Sequence, residues 1–212
     1  MMRLLIGLLA GVATMTPALA HPHIWVRQRA EVISDADGKF TGIRHLWTFD
    51  EAYSAFQTVN LDSKRDGKPD PDKLAELART NLESLVEFGY FTAVKANGAK
   101  VEFAPPVEPE LTLDEGRLTL RFVLPAKTQV KQPKVMSLEV KDPTFFVAFT
   151  LADGDDAVRL SGAMQKCALN VRRPPKAVEE GVQLIPDAIA GALAGKSAVG
   201  GEFANSIIVA CP

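Results

Sequence analysis

Apolar and polar positions alternate from Ile24 onward, with Ile24, Val26, Ala30 and Val32 on one side and Arg27, Arg29 and Glu31 between them. A period of two marks a strand with one buried face. The alternation resumes between Phe40 and Asp50, where Ile43, Trp47 and Phe49 take the odd positions. Asp35-Ala36-Asp37-Gly38 lies between the two runs and carries turn chemistry, so a hairpin is expected. If both apolar faces share one core and Ser34 pairs with Lys39, then Ile24 faces Phe49, Gln28 faces His45 and His23 faces Asp50, to within one residue.

The period then changes. Residues 51–57 read as a short helix with Asp50 at its N-cap, followed by a polar loop over 60–70. A longer helix is expected from Pro71, capped by Asp70 and running to about Phe88, because Leu74, Leu77, Ala78, Leu82 and Leu85 fall on one stripe. After Gly89 the chain reads as strands over 90–95, 100–103, 110–113, 118–124, 135–140, 145–151, 157–160 and 168–171. A glycine-punctuated helix over 177–194 and a last strand over 203–210 complete the pattern, which contains no internal repeat. The expected class is α+β, an antiparallel β-sandwich-like body with one long packed helix and a short C-terminal helix.

The first twenty residues do not belong to that body. Arg3, the apolar run from Leu4 to Val12, Pro17 and the small-residue site Ala18-Leu19-Ala20 form the pattern of a secretory signal peptide. The run is too short to span a bilayer, and no later stretch reaches the roughly 18–20 apolar residues that spanning needs. Cleavage after Ala20 leaves one periplasmic domain, residues 21–212, not embedded in the membrane. Lys and Arg total 24 against 26 Asp and Glu, so no basic stripe points to nucleic acid. The two cysteines, Cys167 and Cys211, are those an exported domain would pair.

Cleavage would also make His21 the first residue, joining a free α-amino group to its imidazole, with the His23 imidazole two positions on. An amine and two imidazoles form a nitrogen-donor set for a divalent transition metal. Pro22 has no amide proton to lose, which blocks the square-planar mode using backbone nitrogens. Amine, two rings and an open position suit tetrahedral Zn²⁺, with Ni²⁺, Co²⁺ and Cu²⁺ as the other candidates. His45 reads either as a core histidine bonded to a backbone carbonyl or as a further ligand. Asp50 reads as a helix cap, as a carboxylate ligand, or as the partner that orients an imidazole. The stretch from Asp62 to Asp70 resembles a calcium loop in its acids and in Gly67, but Lys64 and Lys73 stand where ligands belong, which disfavours calcium. Signatures of nucleophilic hydrolases, P-loops and zinc proteases are missing, so the chain is read as a non-enzyme. The competing readings are a copper enzyme built on a histidine brace at His21 and a metal-independent envelope interaction module.

Several motifs together resemble a known family. They are His21-Pro22-His23-Ile24-Trp25 after the leader, His45-Leu46-Trp47-Thr48-Phe49-Asp50-Glu51, the Asp62…Asp66-Gly67 loop, Asp142-Pro143-Thr144-Phe145-Phe146, and Phe203-Ala204-Asn205 with Cys211-Pro212. The chain resembles the exported domain-of-unknown-function family labelled the periplasmic component of an uncharacterised transport system, whose ZevA-like members partner nickel/cobalt-exporter-type permeases in zinc acquisition. The resemblance implies a periplasmic metal-handling accessory to an inner-membrane permease, with His21 and His23 as the matching residues and His45 and Asp50 beside them.

Overall fold

The computed structural model describes residues 23–144, 146–173 and 205–212. The predicted leader, His21 and the helix expected over 177–194 lie outside them. The elements are β1 (Ile24–Ser34), β2 (Phe40–Phe49), α1 (Glu51–Thr58), α2 (Pro71–Ser84), β3 (Thr92–Ala96), β4 (Ala99–Lys100), β5 (Val107–Asp114), β6 (Arg117–Val130), β7 (Val135–Val140), β8 (Val147–Leu151), β9 (Val158–Leu160), β10 (Ala168–Arg172) and β11 (Ser206–Ala210). They form an α+β body of two sheets. One has the order β5-β6-β2-β1-β8 with β9 also on β1, and the other the order β10-β11-β7-β3-β4.

One part of the expectation is corrected. The first sheet is mixed, because β8 and β9 both run parallel to β1. They reach it through long connections and share its edge in series, divided by the loop that carries Asp153 and Gly154. Parallel neighbours need such crossovers, whereas the hairpins β1–β2 and β5–β6 are closed locally and antiparallel.

The hairpin pairs the expected faces in a different register. Val26 lies opposite Phe49 and Ala30 opposite His45, two residues from the predicted pairing. Half of the shift comes from the turn, where the Asp35 N–H donates to the Lys39 carbonyl at 3.0 Å and Ser34 therefore pairs with Phe40. The other half comes from a bulge just after that pair, which sets Ile33 opposite Gly42. Two single-residue slips restore the parity, so the buried faces survive. At the bulge the chains approach closely: a Cβ on Gly42 would lie 2.6 Å from the Leu124 carbonyl oxygen. That contact excludes any larger residue.

The core is one cluster fed by both sheets, with Val26, Ile43, Trp47, Leu120 and Phe122 from the first and Val94, Leu138, Ile207 and Val209 from the second. Trp47 packs edge-on to both Phe122 and Phe149 at 5.0 Å between ring centroids. Helix α2 buries Ala78 and Leu82 and packs against β5. It stops at Ser84, short of the predicted Phe88, as the chain turns through Gly89, Tyr90 and Phe91, all at positive φ.

Gln28 interrupts this apolar face. Its side chain is fully buried, and neither amide atom has a hydrogen-bond partner among the described residues. A buried amide without partners is destabilising by about 1–3 kcal/mol. Gln28→Met, similar in length and without that demand, is expected to raise the unfolding free energy by about 1 kcal/mol in urea titration. A loss of stability would show that the amide is satisfied in solution.

Candidate functional site

Of the predicted site residues, His23 and Asp50 lie at the end of the first sheet where β1 begins, and two carboxylates set their positions. Asp142, only 6% exposed, accepts from the Thr144 N–H at 2.8 Å, the Thr144 hydroxyl at 2.7 Å and the Val147 N–H at 2.9 Å. This Asx turn fixes the entry to β8 and presents the Phe146 carbonyl, which accepts from the His23 N–H at 2.9 Å and the Ile24 N–H at 3.3 Å. The His23 ring lies on the Phe146 ring, centroids 4.8 Å apart, and the residue is exposed. His23 is thus held by its backbone at the rim of the sheet.

Asp50 is the second clamp. Its Oδ1 caps α1 by accepting from the Tyr53 N–H at 2.8 Å, and its Oδ2 accepts from the Trp25 N–H at 2.8 Å. The Asp50 N–H returns a bond to the Trp25 carbonyl at 2.9 Å. Asp50 therefore faces Trp25 where the sequence placed His23, as the two-residue register shift requires. Burial, and next the Asp50 charge, push the Tyr53 hydroxyl above its ordinary pKa.

His45 is in the core. It is fully buried, with its ring stacked on Phe122 at 4.9 Å and 5.4 Å from Trp47. Its Nε2 lies 3.3 Å from the Thr92 hydroxyl, so its partner is a side chain from the facing sheet and not the backbone carbonyl expected. Five residues of extended strand separate it from Asp50, roughly 16 Å. The structure thus brings His23 and Asp50 to one end of the sheet and leaves His45 inside. Among the described residues, no three His, Cys, Asp or Glu side chains are grouped closely enough to hold a metal ion. His21 lies outside those residues.

The acidic loop uses its carboxylates on its own backbone. Asp62 accepts from the Asp66 and Gly67 N–H groups at 3.1 and 2.8 Å, and Asp70 accepts from the Ser63 N–H at 3.2 Å. Asp70 makes no side-chain cap bond to α2, contrary to the prediction, because this loop contact takes its carboxylate. Lys73, at the position of a bidentate calcium ligand, donates to the Asn60 carbonyl at 2.7 Å. Cys167 and Cys211 form a disulfide, as expected, with Cα atoms 4.3 Å apart.

Sequence reasoning missed two features. One is Asp142, whose Asp-Pro-Thr context is a turn signal that placed no functional side chain until the Phe146 carbonyl was seen beside His23. The other is a half-open cleft of about 300 Å³ beside the Trp25–Asp50 contact, lined by Trp25, Arg27, Thr48, Asp50, Thr150 and Asp153, with Arg117 at its side. Its walls come from four separate strands and a loop, a conjunction that no local pattern reveals.

Comparison with known proteins agrees in scope. An "Uncharacterized protein" of Haemophilus influenzae is 27% identical over 208 residues, covering 97% of this chain and 98% of the relative. The "Uncharacterized 15.5 kDa protein in trpE 3'region" of Spirochaeta aurantia is 27% identical over 88 residues, 42% of this chain and 63% of the relative. The family described as "Protein of unknown function (DUF1007)" matches from residue 6 to residue 211, a span that takes in the His23 rim, both clamping aspartates and the disulfide, and the chain belongs to that family.

Proposed function

We propose that the protein is an exported accessory that binds one divalent transition metal, zinc foremost, at its processed N-terminus and delivers it to an inner-membrane permease of the nickel/cobalt-exporter type. The observation that carries this reading is the placement of His23: its backbone is held by the Phe146 carbonyl, while the residue itself stays exposed at the sheet rim. Two residues of chain reach at most about 7 Å. After cleavage at Ala20, the His21 amine and imidazole would therefore stay close to a second imidazole carried on a held backbone, which lowers the entropy lost on chelation. An exposed site with few protein ligands suits delivery, because an acceptor can replace those ligands one at a time. The disulfide suits an oxidising compartment, and among the described residues no helix is long and apolar enough to cross a membrane.

The test is calorimetric titration of Zn²⁺ into the chain beginning at His21. Wild type is expected to bind about one ion. His23→Ala, and separately one glycine added before His21, should each weaken binding at least tenfold. Equal affinity in all three proteins would remove the N-terminal site from consideration.

A further inference from the structure

The outer face of the first sheet is laced with ion pairs. Arg29 and Arg159 both reach Asp156, at 2.6 and 3.0 Å. Arg117 reaches Glu51 at 2.6 Å, Arg121 reaches Glu110 at 3.2 Å, and Arg44 pairs with Glu31. Among the described arginines on the strands of this sheet, the pattern breaks in the cleft. Arg27, set between Thr48 on β2 and Thr150 on β8, is exposed and has no carboxylate partner among the described residues. Asp153 lines the same cleft, is also exposed, and has no cationic partner there. One guanidinium and one carboxylate thus face a shared space without pairing with each other or with anything else described.

That arrangement selects a ligand by charge. A simple anion attracted to Arg27 would meet Asp153 and Asp50, and a simple cation attracted to Asp153 would meet Arg27 and Arg117. A molecule carrying both charges a few ångströms apart satisfies both groups, with its carboxylate on the planar guanidinium fork and its ammonium on the aspartate. Trp25 adds an aromatic wall against which a planar side chain can lie. The volume, about 300 Å³, is at the small end of ligand sites. We propose that this cleft binds a free α-amino acid with a planar side chain, its carboxylate on Arg27, its ammonium on Asp153 and its ring on Trp25.

The site needs no metal, so it is tested in chelator. L-phenylalanine is titrated into metal-free full chain, alongside phenethylamine, which lacks the carboxylate, and 3-phenylpropionate, which lacks the ammonium. Saturable binding of L-phenylalanine is expected, at least tenfold tighter than either analogue. Arg27→Gln should weaken L-phenylalanine at least tenfold and abolish its advantage over phenethylamine, and Asp153→Asn should do the same relative to 3-phenylpropionate. Both residues are exposed, so both variants should fold, and circular dichroism checks that they do. No saturable binding at millimolar L-phenylalanine, or binding untouched by both substitutions, overturns the proposal. Neither result bears on the metal reading, since no metal is present in the titration.

Discussion

Acidification from pH 6.5 to pH 4 is expected to remove about 3 kcal/mol of folding stability through His45 alone. The ring is sealed between Phe122 and Trp47, and burial lowers its pKa to about 3 from an ordinary value of 6.5. The Thr92 hydroxyl donates to the Tyr90 carbonyl at 2.8 Å, so toward His45 it acts as the acceptor. That assigns the neutral tautomer with its proton on Nε2. The remaining nitrogen, Nδ1, has no partner among the described residues, and a second proton there would meet none of them able to accept it. Between the two pKa values the unfolded chain holds a proton that the folded chain does not. Stability from this group is thus full above pH 6.5 and falls by about 1.4 kcal/mol per pH unit on the way down to the folded value. Urea unfolding of wild type and His45→Phe across this range isolates the effect, because titrating carboxylates are common to both chains. The wild-type curve should fall more steeply by that increment, and parallel curves would clear His45 of the role.

The same residue shows what could be read in the sequence and what could not. Alternation in Ile24–Ser34 and Phe40–Phe49 placed both strands on their correct faces, and Asp50 was correctly expected to cap α1. These are local signals, carried by a side-chain period or by one capping residue. Register depended on a turn that closes between Asp35 and Lys39 and on a bulge just beyond it, and neither disturbs the alternation that the eye follows. The position of His23 beside Phe146, and of Arg27 beside Thr150, depends on β8 lying parallel to β1 across more than a hundred residues of intervening chain. No periodicity encodes such a partner. The sequence proposes a donor set at His21 and His23, but the aspartates that position the surroundings of His23 were legible only as turn and cap residues. The cleft was not legible at all, since its unpaired charges become visible only when every other arginine on that face is seen to have found a carboxylate.

Breaking the Cys167–Cys211 link is expected to remove about 4 kcal/mol of stability, the chain-entropy value for a loop of about 45 residues. The location of the loss follows from the topology. Strand β10 is an edge strand whose sheet partner is β11, and the bridged cysteines sit one residue beyond the Ala168–Ala210 rung of that ladder. Strand β11 buries Ile207 and Val209 and pairs on its other side with β7, where Ile207 faces Leu138. A single backbone bond follows the ladder, from the Cys211 N–H to the Lys134 carbonyl at 2.8 Å. In the cross-linked unfolded chain, β11 stays near β10. In the reduced chain the two must meet by diffusion before the ladder between them can form. Cys167→Ser with Cys211→Ser should therefore lower the urea midpoint, and amide exchange should accelerate first in β10 and β11, while the β1–β2 hairpin at the centre of the other sheet keeps its protection longest. Uniform acceleration across both sheets would mean that β11 and the hairpin belong to one cooperative unit. A stability change below about 1 kcal/mol would mean that the reduced unfolded chain already holds the two strands together.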